Sequence, residues 1–167
     1  MCGPEVTNRP RGGALAALSS LDDAGRPTSC GDLAFHTPGL PESNEATHVR
    51  LVPDAAYDAR TLSDLLVVIH SSGDPRTRTE DCGTFEKFGF PTTAESFSET
   101  QAFVELALSK PLLLEVGSEG IIGRRVSLYA GGSASRVVAE GIVGVNFLRA
   151  AQPTLGMVQD VTGPSRL

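Results

Sequence analysis

The sequence predicts a β-rich α+β fold, a small β-barrel with short helices inserted between its strands. Short apolar runs of strand length, cut by glycine and by Asp/Gly turns, occupy both ends of the chain, and the breaks between them hold helix-like stretches. No Gly-x-Gly-x-x-Gly follows a strand, so a doubly wound nucleotide-binding sheet is not expected. With 167 residues, 40% hydrophobic and 20% charged, the chain suits one domain over residues 1–167. Within it we expect an irregular lead-in over 1–12, the barrel core over 13–150 and a tail over 151–167.

Each element has a local reason. Gly3, Pro4, Pro10 and Gly12 leave no room for regular structure in the lead-in. Ala14 to Leu21, the cluster Asp22-Asp23-Ala24-Gly25 and the run to Phe35 read as a hairpin. Thr37 to Thr47, with Pro38, Gly39 and Pro41, reads as an exposed loop. His48 to Val52 alternates like a half-buried strand, and Pro53-Asp54 opens a short helix over 55–62. Leu65 to Ile69 is a branched run suited to a strand buried on both faces. Ser71 to Gly83 is polar and reads as a solvated loop. Ser98-Glu99-Thr100-Gln101 matches a capping box, and Phe103, Leu106 and Ala107 then fall at helical spacing, which predicts an amphipathic helix over 98–108. From Leu112 onward, glycine-split runs up to Leu148 predict a closing β-meander.

Composition narrows the function. Fourteen Lys+Arg against 20 Asp+Glu give a net charge of −6 with no basic block, so no nucleic-acid partner is expected. No window nears the roughly 18 apolar residues of a membrane span, and residues 1–11 lack the core of a signal peptide; a soluble cytoplasmic protein without a membrane partner is expected. Cys2, Cys30 and Cys82 are odd in number and form no Cys-x-x-Cys pair, against both a disulfide framework and structural zinc. His36, His48 and His70 have no ligand spacing with Asp32 or Asp64, so no metal is expected and the histidines read as partly exposed. His70 stands apart because it ends the branched strand, where side chains often face a cleft.

Met1-Cys2-Gly3 would, on loss of Met1, leave a thiol beside an α-amine of pKa about 8 able to act as its base. This start, with His36-Thr37, Val67 to His70 and Ser98-Glu99-Thr100, resembles class II glutamine amidotransferases. That family continues its histidine strand as His-Asn-Gly and supplies oxyanion groups there. This chain reads His70-Ser71-Ser72.

A longer series of pieces, in order over residues 8–148, resembles the flavin reductase-like FMN-binding split-barrel family. Arg9-Pro10, the first hairpin through Arg26-Pro27, the strand to Phe35, Arg60-Thr61-Leu62, Phe85 to Thr92 and Leu113-Leu114-Glu115 carry it. The resemblance implies a small split β-barrel with short helices inserted between strands, assembled as a homodimer. It implies FMN as cofactor, with Thr28, Ser29, Cys30, Asp32, Arg60, Thr61, His70 and Ser71 at the cofactor site, and NADH or NADPH as possible co-substrate. The expected function is then that of an oxidoreductase moving hydride or electrons between a reduced nicotinamide and flavin or a small molecule. Leu33 stands where the family commonly has serine, and Arg60 where it has aspartate. No tryptophan and only 5% aromatic residues leave few stacking groups, which favours the alternative of a non-catalytic β-rich binding or interaction domain.

Overall fold

A computed structural model of the chain describes residues 9–54, 64–90, 103–131 and 136–146. Of these, 59% lie in strands and 3% in helical turns, so the fold is β-rich and the inserted helices are not among the described residues. Among the described residues nine strands form one sheet: β1 Ala14–Leu21, β2 Pro27–His36, β3 Glu45–Pro53, β4 Leu65–Ile69, β5 Glu86–Phe90, β6 Val104–Val116, β7 Gly120–Ile122, β8 Arg125–Tyr129 and β9 Val137–Val145. Their order is β5-β4-β8-β9-β1-β2-β3-β6-β7. No helix among the described residues is long and apolar enough to cross a membrane.

The first hairpin forms as its turn chemistry predicts. The Asp22 backbone amide donates to Arg26 O and Gly25 to Asp22 O, while the Asp22 carboxylate accepts from the amides of Ala24 and Arg26. Along β1, Ala14, Ala16 and Leu18 point inward and Ala17 and Ser19 outward, the period-2 alternation of a strand with one face on the core. The ladder slips after Leu18, because Gly31 lies opposite Leu18 and Ser29 opposite Ser19, leaving Cys30 as an extra residue on β2. Gly31 is required there: its φ is 128°, and a Cβ would stand 2.2 Å from Val52 O.

The sheet curls into a half-barrel. Its concave side holds the core, with Leu33 and Phe35 of β2, Leu51 of β3, Ile69 of β4, Ile121 of β7 and Leu128 of β8 fully or nearly fully buried. The curl brings the β7–β8 corner to β9, where Gly123 donates to Val143 O at 2.8 Å and Val143 to Arg124 O at 2.9 Å. It also brings β5 and β6, far apart in the strand order, to either side of a cleft of about 190 Å³ lined in part by Phe88, Leu106 and Leu108. Lys110 on β6 meets Glu86 on β5 at 2.6 Å across it. That hydrogen bond holds the Glu86 carboxyl below its ordinary value.

Three expectations change. Residues 104–108 of the expected helix over 98–108 are strand β6: Val104, Leu106 and Leu108 are half-buried while Glu105, Ala107 and Ser109 face out. That alternation at period two outweighs the helical spacing of Phe103, Leu106 and Ala107. Residues 98–102 and the expected helix over 55–62 lie outside the described residues, as do residues 1–8 of the lead-in and the tail over 151–167. The exposed loop after β2 ends at Asn44, because Glu45 already opens β3. The closing segment is not a plain meander either, since β7 pairs parallel to β6 at Leu113 opposite Gly120. Arg124 holds that corner by donating to Gly120 O, Gly117 O and Ser118 O.

Candidate functional site

Part of the outer face of β4, β8 and β9, around His70, Arg125 and Ser127, is closed to water. Alternation puts His70, Arg125, Ser127 and Glu140 on the side opposite Ile69, Val126, Leu128 and Ala139, and the segment from Ser71 to Gly83 lies over them. His70, Ser127 and Arg125 are 3%, 0% and 8% exposed. The sequence reading of partly exposed histidines is therefore corrected: His70 and His36 are buried, and only His48 is half-buried.

These side chains form one hydrogen-bonded chain. His70 Nδ1 lies 2.8 Å from Gly83 O and Nε2 2.9 Å from Ser127 Oγ. Ser127 Oγ in turn lies 2.8 Å from Glu140 Oε1, which also accepts from Thr79 Oγ1 at 2.7 Å. Arg125 donates to Thr79 Oγ1, Thr77 O and Asp74 O, with the buried Cys82 Sγ at 3.6 Å. A carbonyl can only accept, so Nδ1 carries a hydrogen. Two bonds then meet at Ser127 Oγ, whose hydroxyl donates to Glu140 Oε1. The chain is thus a unit in which each member depends on its neighbours' hydrogens. Beside it, burial and then the charges of Glu140 and Glu80 push the Tyr129 hydroxyl above its ordinary value. The expected solvated loop over 71–83 is polar but tied down: Arg125 holds it from below and Arg124 donates to Ser71 O at 2.7 Å.

Glu140 also borders a groove. The β1–β9 ladder ends at Ser19 opposite Glu140, and the hollow beyond, about 530 Å³, is lined by Ser19, Ser20 and Leu21 of β1 and by Arg136 to Glu140. Leu21 and Val137 leave large apolar surface exposed at it, and Arg136 supplies an exposed guanidinium.

The cofactor residues expected from sequence are not gathered in one place. Thr28 and Ser29 are exposed and lie opposite Ser20 and Ser19, one strand from the groove. Ser29 Oγ is hydrogen-bonded to the Asp54 carboxylate. Cys30 is buried, its Sγ 3.3 Å from Ser20 Oγ. Asp32 lies opposite Ala17 on the outer face and pairs with Arg9 at 3.4 Å. Ser71 is exposed beside the buried His70, whose two ring nitrogens are both engaged. Arg60 and Thr61 lie outside the described residues, as does Cys2.

A second polar group sits where β2, β3 and β6 adjoin. Glu105 Oε2 accepts from His36 Nε2 at 2.9 Å and from Arg50 Nε at 2.7 Å, and the Arg50 guanidinium stacks 4.0 Å from the Phe103 ring. Burial lowers the His36 pKa more than its bond to Glu105 raises it. Burial pushes the Glu105 carboxyl up, but the hydrogen bonds from Arg50 and His36 outweigh that and leave it below its ordinary value. No group of three or more His, Cys, Asp or Glu among the described residues is arranged to hold a metal ion.

Sequence reasoning singled out His70 but missed Ser127, Glu140, Arg125 and Thr79. The available signal was that Arg125, Ser127 and Tyr129 share one phase of a strand whose other phase is Val126 and Leu128. Comparison with protein-family models, curated proteins and solved structures found no match to this chain.

Proposed function

We propose that the chain is a ligand-binding β-domain of split-barrel type whose site is the β1–β9 groove, with FMN as the ligand and flavin reductase-like electron transfer as the activity. The observation that carries this reading is the groove itself: it has room for a ligand of FMN's size, and its donor set suits one. Arg136 offers a cation for the phosphate, Ser19 and Ser20 offer hydroxyls to the ribityl chain, and Leu21 with Val137 offers apolar surface to the ring. Thr28 and Ser29 extend the hydroxyl row on the neighbouring strand. Glu140 belongs at the end of the groove away from the phosphate, where its charge favours donor groups. Bound flavin would supply the redox chemistry, with NADH or NADPH as reductant; the chain's own residues bind and orient it. On the same reading the chain works as a homodimer in the cytoplasm.

The test is a visible absorbance spectrum followed by an FMN titration read by flavin fluorescence quenching. Saturable quenching that Arg136→Ala weakens about tenfold, the loss of one charge-assisted contact, supports the reading. Absence of quenching overturns it.

A second reading, a non-catalytic interaction domain, is favoured by the hydrogen bonding. Among the described residues no buried side-chain nitrogen or oxygen lacks a partner, and His70 has both nitrogens occupied, as suits a polar layer that braces a fold. Loss of FMN binding with an intact fold would leave this reading in place.

A further inference from the structure

Glu140 faces two structures at once. Its Oε1 accepts from Ser127 and from Thr79, and the residue also lines the groove beyond its partner Ser19. The 3-10 turn Thr79–Asp81 buries none of its residues, so apolar contact does not hold it to the sheet. Its side-chain attachment is polar, through Thr79 to Glu140 and to Arg125. Segments held this way open at a lower free energy than the core beneath them.

We propose that Glu140 couples the groove to the loop over 71–83: a hydrogen-bond donor or ammonium group of a ligand at the Glu140 end of the groove draws the carboxylate from Thr79 and releases the turn. The proposal rests on the groove being the ligand site. An ammonium competes well there, since it adds a charge–charge attraction to the hydrogen bond that the neutral Thr79 hydroxyl does not have. The coupling runs both ways. A loop that has let go of Glu140 leaves the carboxylate to the groove, so loop release strengthens ligand binding by the factor with which ligand weakens loop docking.

The test needs no ligand, and so its outcome is separate from whether FMN binds. Ser19 lies directly across from Glu140 on the same face of the sheet, at a cross-strand Cβ separation of about 5 Å. Ser19→Lys therefore brings a tethered ammonium to the carboxylate from the groove side, and Ser19→Met brings a chain of similar reach without charge. Two readouts follow the loop: amide hydrogen exchange over residues 71–83 by mass spectrometry, and alkylation of Cys82, which is 3% exposed with Sγ 3.3 Å from Arg78 O. We expect S19K to raise exchange over 77–82 and Cys82 alkylation about tenfold, S19M to leave both at wild-type values, and Thr79→Val to match S19K. Wild-type exchange in S19K overturns the proposal, as does an equal rise in S19M. If T79V loosens the loop while S19K does not, the carboxylate holds the turn but the groove does not control it, and the proposal fails.

Discussion

The inner face of β4, β8 and β9 and the outer patch of His70, Arg125 and Ser127 are built from the same backbone and are both buried, yet by different means. Inside, the curl of the sheet covers Ile69, Val126, Leu128 and Ala139 with other apolar side chains. Outside, a polar segment covers His70, Arg125 and Ser127, each of which must find a hydrogen-bond partner once water is excluded. Apolar burial is non-directional and tolerates exchange of similar volumes, whereas the outer layer is directional and fails when one partner is lost. The two faces should therefore answer differently to substitution.

The largest effect is expected inside. Leu128→Ala should cost about 2–5 kcal/mol of unfolding free energy, measured by urea denaturation, and Leu128→Met less than about 1.5 kcal/mol. Outside, Ser127→Ala removes only one oxygen but strands the buried His70 Nε2 and takes one of two hydrogen bonds from Glu140 Oε1, with an expected cost of about 1–3 kcal/mol. A cost for S127A near that of an exposed serine would erase the contrast. The cross-cleft pair should be weaker still: Lys110→Met removes a contact in which the lysine side chain is 68% exposed, for about 0.2–1 kcal/mol in thermal melts.

The smallest effect concerns pH. His36 is held below its ordinary pKa when folded, so the unfolded chain binds more protons between the folded value and about 6.5. Its contribution to stability is full above that ordinary value and is lost as pH falls through the folded value. Glu105 and Glu86, also lowered, add a further loss below the ordinary carboxylate range. Thermal melts from pH 7.5 to 5.0 should therefore fall, and His36→Gln should flatten that segment while leaving the carboxylate-driven fall below it.

The contrast also explains what was legible in the sequence. The first hairpin and β4 could be read because their signals are local, the Asp22 turn and the run Leu65 to Ile69. β6 was misread because the capping-box match at 98–101 and the spacing of Phe103, Leu106 and Ala107 compete with the alternation of Val104, Leu106 and Leu108. The inner face could be read because apolar residues announce burial themselves. The outer face could not: Ser127 in a strand ordinarily means solvent, and nothing local tells that a segment some fifty residues earlier will cover it. The groove escaped for a similar reason, since it exists only where β1 and β9, distant in sequence, part company after Ser19.

The dipeptide Arg124-Arg125 carries one more consequence. Arg124 lies in the turn before β8 and Arg125 opens the strand. The Arg124 guanidinium serves the carbonyls of Gly117, Ser118 and Gly120 and also Ser71 O, and that of Arg125 serves Asp74 and Thr77. Anyone grafting a foreign sequence into either loop inherits a design constraint from this arrangement. The graft must present carbonyl oxygens where the native loop does, or an arginine loses acceptors that it uses in the native fold. Because Arg124 bonds both loops, an ill-fitting graft in one will be felt in the other.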